Sequence, residues 1–196
     1  MSFKEAVVFD PNLWYQISEA RVDKGGEKLN QNLQFSDSPP GFTVFPDDHN
    51  YWQFLPADDD TENRFFLRSQ KTGTAFHLSA CFNPDEEHED KTGLCMLPAD
   101  EKAEEQIWQT DSWGDGTTAI RFINIGNGSD YWLDCHKGSP PFMNDDIDTS
   151  NYKPAQRWLV SSVSAVEQAS FKVGDGQPVS ACPSHLLPGS AQCLSG

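Results

Sequence analysis

The chain has 196 residues, enough for one sizeable core, so one domain with tails is the expectation. Thirty acidic residues against 14 basic ones give a formal charge of −16, which repels phosphate backbones and anionic lipid and argues against nucleic-acid or membrane-surface partners. The apolar fraction is only 37%, but 13 Phe, 6 Trp and 4 Tyr supply large buried surfaces, so an aromatic core is expected rather than disorder.

The start, Met1–Phe9, has no apolar stretch of the secretory kind, and no run approaches the roughly 20 apolar residues of a membrane-spanning helix. The first patterned segment is Leu13-Trp14-Tyr15-Gln16-Ile17, which alternates as a half-buried strand does. After the turn Lys24-Gly25-Gly26, a second strand is expected at Lys28–Gln31 and a third at Phe42–Pro46. The fourth contains Asn50-Tyr51-Trp52-Gln53-Phe54. The same order recurs. Arg64–Arg68, the turn Lys71-Thr72-Gly73, Ala75–Ser79, Leu94–Pro98 and Gln106-Ile107-Trp108-Gln109-Thr110 form a second unit. Thr118–Ile123, Gly126-Asn127-Gly128, Tyr131–Cys135, Phe142-Met143 and Gln156-Arg157-Trp158-Leu159-Val160 form a third. Ala99–Glu105 is short and acidic and reads as a loop with a turn.

Twelve short strands with polar turns and no long helical period imply an all-β, closed architecture. Three bulky anchors, Trp52, Trp108 and Trp158, recur at intervals of about fifty residues, and one such unit cannot bury its apolar face alone. The expected domain is 10–164, with repeats at about 10–60, 61–113 and 114–164. Residues 165–196, rich in Ser, Gly and Pro, read as an irregular tail or linker.

The Gln-x-Trp that closes the units, the Leu-Asp of the second strand and the order of hairpins resemble the ricin B-type lectin repeat. Asp10–Tyr15 and the Trp113-Gly114-Asp115-Gly116-Thr117 turn are similar to a fungal branch of it. The resemblance implies a β-trefoil of three pseudo-symmetric four-stranded repeats that binds glycans or glycoproteins without catalysis, at an extracellular or cell-surface location. In such a site a carboxylate accepts hydrogen bonds from sugar hydroxyls and a ring stacks on the apolar face of the sugar. Carried onto this chain, the Leu-Asp position reads Asn30, Ser79 and Asp134, so only the third repeat keeps the carboxylate. Its implied site is Asp134 as acceptor, Gln156 as support, and Tyr152 or Phe142 as stacking face. The alternative for Asp134 is bonding to backbone amides inside its own hairpin. The degenerate positions leave a second reading open, a protein-binding trefoil such as a protease inhibitor or host-directed interaction protein.

Other constellations are weaker. Carboxylate pairs such as Asp145-Asp146 occur in loops without the apolar setting a glycosidase acid needs, so no enzyme is expected. Asn144–Asp148 lacks the Gly and closing Glu of a calcium loop, and the five His show no metal spacing, so no metal or other cofactor is implied. Cys81 with Cys95, on consecutive strands, and Cys182 with Cys193, around a Pro/Gly loop, are disulfide candidates, and Cys135 is left as a small buried hydrophobe. Asn127-Gly128-Ser129 is a glycosylation candidate.

Overall fold

A computed structural model of the chain describes residues 7–20, 31–37, 40–45, 50–57, 63–83, 91–114, 117–127, 131–135, 140–146 and 156–174. Twelve strands lie among them: β1 (Leu13–Glu19), β2 (Asn32–Asp37), β3 (Pro40–Phe45), β4 (Trp52–Pro56), β5 (Arg64–Ser69), β6 (Phe76–Cys81), β7 (Gly93–Pro98), β8 (Ile107–Ser112), β9 (Ile120–Asn124), β10 (Trp132–Asp134), β11 (Phe142–Asn144) and β12 (Trp158–Ala165). No described helix is long and apolar enough to cross a membrane. The acidic segment after β7 forms a turn and a single 3-10 turn at Glu104–Gln106.

Six strands close a ring. Antiparallel pairing runs β1–β4, β4–β5, β5–β8, β8–β9 and β9–β12, and β12 returns to β1 from Leu13↔Ala165 to Glu19↔Trp158. Closure removes the sheet edges that an open six-stranded sheet would expose. Apolar side chains that alternate along these strands fill the interior: Tyr15 and Ile17 from β1, Phe54 from β4, Phe65 and Leu67 from β5, Ile120 and Phe122 from β9. Phe9, just before β1, stacks on Phe54 at 4.0 Å and meets Tyr15 and Phe65 edge-on.

The other six strands form the hairpins β2–β3, β6–β7 and β10–β11, which follow β1, β5 and β9. An equivalent contact ties each hairpin to the ring. The indole Nε1 of Trp52 donates to the Leu33 carbonyl at 3.0 Å, Trp108 to Leu78 at 2.9 Å and Trp158 to Leu133 at 3.0 Å. All three rings are fully buried, so each bond satisfies a donor and an acceptor that water cannot reach.

These contacts also set a register the sequence reading missed. In the first hairpin Trp52 binds Leu33, so the residue corresponding to Ser79 and Asp134 is Gln34, not Asn30. Of the strand expected at Lys28–Gln31, residues 28–30 lie outside the described residues, and the described strand that the indole meets is Asn32–Asp37. The segment is polar around both leucines, and only the docking of the indole distinguishes them.

The chain beyond β12 does not leave the barrel at once. Val166 and Phe171 pack on Trp14, whose ring lies 4.9 Å from that of Phe171. Asn12 fixes the segment at two points: its carbonyl accepts from Val166 N at 2.8 Å, and its side-chain amide exchanges two hydrogen bonds with the Val173 backbone, at 3.0 and 3.2 Å. Gln53 donates to both the Pro11 and Phe171 carbonyls, and Arg68, in register with Gln53 across β4–β5, donates to Gln53 at 2.6 Å and to Phe171 at 2.9 Å. The first part of the stretch expected as tail from residue 165 is therefore bound to the barrel, and Val7 and Phe9, before residue 10, pack against its core.

Candidate functional site

The third hairpin carries the residue types singled out in the sequence. Asp134 ends β10 and Phe142 begins β11, directly opposite in register. Asp134 Oδ1 accepts from Cys135 N at 2.7 Å, while Oδ2 accepts from Asn144 Nδ2 at 2.7 Å and Gln156 Nε2 at 3.0 Å. Gln156 Nε2 also reaches the Asp146 carbonyl at 3.3 Å, which ties β12's start to the chain just after β11. The carboxylate is thus oriented by one backbone and two side-chain donors, with 3% of the residue exposed. A carboxylate offers about four acceptor positions, so about one remains for another donor. Phe142 is half-buried beside it.

The structure thus joins Asp134, Gln156 and Phe142. Tyr152 lies outside the described residues, as do Cys182 and Cys193. Asn144, two residues beyond Phe142, is the partner that sequence reasoning did not connect to Asp134. An Asn placed diagonally from an Asp across β10–β11, ten residues away in the chain, is a weak sequence signal.

The corresponding positions in the second hairpin are occupied differently. Ser79, fully buried, stands in the place of Asp134, and Cys95 is its cross-strand partner. Gln106 is again a clip: its Nε2 donates to Pro98 O at 2.9 Å and its Oε1 accepts from Asp100 N at 2.9 Å. The same oxygen lies 3.0 Å from His77 Nδ1, and since it only accepts, the His77 proton sits on Nδ1. His77 is 2% exposed and stacked on Phe66, and burial pushes its pKa down to about 4. In the first hairpin Asn50 takes this role, donating to Phe35 O and accepting from Ser69 Oγ. The Gln or Asn two residues before each Trp is therefore a brace between strands, which accounts for the amide that all three positions share.

Cys81 and Cys95, expected as a disulfide, are free thiols in this structure. They occupy diagonal positions on one face of β6–β7 and hydrogen-bond to each other. Cys135 is fully buried. The Asn127 amide nitrogen, the atom a glycan would be attached to, donates to the Lys91 carbonyl. Among the described residues no group of three or more His, Cys, Asp or Glu side chains could hold a metal ion.

No protein-family model and no curated protein matches the sequence. Solved structures do match by shape. BEL beta-trefoil, in an apo crystal form, aligns with a TM-score of 0.57 at 10% identity, covering 82% of this chain and 99% of that one. The fold is a β-trefoil. Two further matches are Cry35Ab1, with a TM-score of 0.56 at 16% identity, and the lysenin pore, with 0.52 at 11%. This chain is covered to 86% and 84% in those alignments but spans only 40% and 50% of the two larger proteins. At such identities the likeness carries the fold and nothing about what the trefoil binds.

Proposed function

We propose that this β-trefoil is built of three pseudo-symmetric four-stranded units and is a non-catalytic carbohydrate-binding module whose glycan site is the third hairpin. One observation carries the reading. Of the three corresponding positions, Gln34, Ser79 and Asp134, only the last is a carboxylate, and Cys135, Asn144 and Gln156 hold it in one orientation. A preoriented carboxylate with one acceptor position left suits a sugar hydroxyl, and Phe142, opposite it, offers a ring face to the sugar's C–H face. Tyr152 adds a second ring in this reading. Such a site is shallow and weak alone, so binding is strongest to clustered glycans at an extracellular or cell surface.

A second reading, a protein-binding trefoil with decayed sugar sites, has a specific observation in its favour: Asp134 is almost wholly buried and spends three bonds within the protein.

A glycan array separates the two. Binding confined to related terminal sugars, lost in Phe142→Ala and in Asp134→Ala while both variants keep a cooperative melting transition, supports the lectin reading. A blank array with the folded wild-type protein refutes it and moves the weight to protein partners presented to the loops.

A further inference from the structure

The place that Asp134 and Phe142 occupy in the third hairpin is held in the second by Ser79 and Cys95, with Cys81 one diagonal step away. Both thiols are half-buried, so a small reagent reaches them, and Cys95 Sγ also lies 3.9 Å from the Ser79 carbonyl. Phe82, next to Cys81, is 62% exposed, which keeps this end of β6 open to solvent. The Lys91 ammonium is near both sulfurs, and it forms an ion pair with Glu105 at 3.6 Å.

The adjoining strand end is a junction between hairpins. Residues Lys91 and Thr92 lead into β7 two and one positions before Gly93, the cross-strand partner of Cys81. The Lys91 carbonyl accepts from the Asn127 side chain, and the Thr92 carbonyl accepts from Met143 N at 2.8 Å. Met143 sits between Phe142 and Asn144 on β11. Whatever fixes the 91–95 segment to β6 therefore also fixes the seat of β11.

We propose that Cys81 and Cys95 form a thiol–disulfide exchange site, and that its closure by a small-molecule disulfide braces β7 and, through Thr92, the third hairpin. The steps balance. The Cys81 thiolate attacks one sulfur of the oxidant RSSR, forming a mixed disulfide and expelling one RS⁻. The Cys95 thiolate then attacks the Cys81 sulfur, forming the Cys81–Cys95 bond and expelling the second RS⁻. The two thiol protons end on two RSH, and the protein is oxidised by two electrons. The hydrogen bond from Cys95 and the charge of Lys91 hold the Cys81 thiol below its ordinary range, which favours it as the first attacker. Cys95 is pushed the other way, chiefly by the same hydrogen bond, and becomes the resolving thiol once Cys81 is in the mixed disulfide.

The test uses the full chain incubated with oxidised glutathione, and it is independent of the glycan reading. Peptide mass mapping should find residues 81 and 95 joined, with the 2 Da loss of two hydrogens. The melting temperature should rise by roughly 5–10 °C, because the bond restricts the unfolded chain over residues 81–95, and dithiothreitol should reverse the rise. Hydrogen exchange at the Met143 amide should slow in the oxidised form. Cys81→Ser and Cys95→Ser should each fold with the melting temperature of the reduced protein and show no oxidant-dependent rise. A mixed disulfide that persists on Cys81, linkage to other cysteines instead, or an 81–95 bond that leaves the melting temperature and Met143 exchange unchanged would overturn the proposal.

Discussion

Replacing Asp134 by Asn keeps the shape of the side chain and changes one oxygen into a donor, and the structure lets the cost be worked out. If the new NH₂ faces Asn144 Nδ2 and Gln156 Nε2, donors meet donors and two bonds at 2.7 and 3.0 Å are lost. If it faces Cys135 N, the 2.7 Å backbone bond is lost and the two remaining bonds no longer end on a charge. Hydrogen bonds to a charged group contribute about 1.5–3 kcal/mol each, and a buried donor left unpaired costs a further 1–3 kcal/mol or so. The cheaper orientation still costs about 2–4 kcal/mol, since 3% exposure leaves little water to repair the loss. For a domain of this size that is a fall in melting temperature of roughly 5–15 °C. Thermal melts followed by tryptophan fluorescence read it directly, because Trp158 binds the carbonyl of Leu133, the neighbour of Asp134. An Asp134→Asn variant melting within about 1 °C of the wild type would mean that the carboxylate is not engaged as described, and the preoriented site would go with it.

Acid should weaken the fold through His77. Its folded pKa of about 4 lies below the ordinary 6.5, so between those values the unfolded chain takes up a proton that the folded one refuses; this contribution is intact above pH 6.5 and lost as pH falls towards 4. Urea unfolding should show a His77-dependent loss on the order of 2–3 kcal/mol between pH 7.5 and 4.5, largely absent in His77→Gln, and an equal loss in the variant would contradict the assignment. Gly126→Ala should destabilise as well. An added Cβ would stand 2.6 Å from Glu105 N and 2.7 Å from its Cα, where backbone rather than a movable side chain must yield. A cost of about 1–3 kcal/mol is expected from such overpacking, and a neutral result in chemical denaturation would show that the 3-10 turn at Glu104–Gln106 moves freely.

What could be read from the sequence alone was whatever depends on local alternation and on aromatic spacing. The strands around Tyr15, Phe66, Leu78 and Phe122 announce themselves because apolar side chains at every second residue have one face to bury, and the three tryptophans stand out because residues of that size are seldom left exposed. The candidate carboxylate was legible too, since Asp134 follows Leu133 before a Gly-containing turn. Three things required the tertiary structure. The first hairpin's register depends on which backbone carbonyl the Trp52 indole meets, and a polar segment containing both Leu29 and Leu33 does not say. The inward bonding of Asp134 depends on Asn144 and Gln156, brought to it by hairpin closure and by the return of β12. The docking of Val166–Val173 depends on Asn12, Gln53 and Arg68, contributed by three strands or their flanks, so a stretch without any alternation is held by partners more than a hundred residues away. Alternation reports which face of a strand is buried; it says nothing of which distant polar group completes a hydrogen bond there, and in this protein those bonds shape the candidate site and hold the segment after β12 to the barrel.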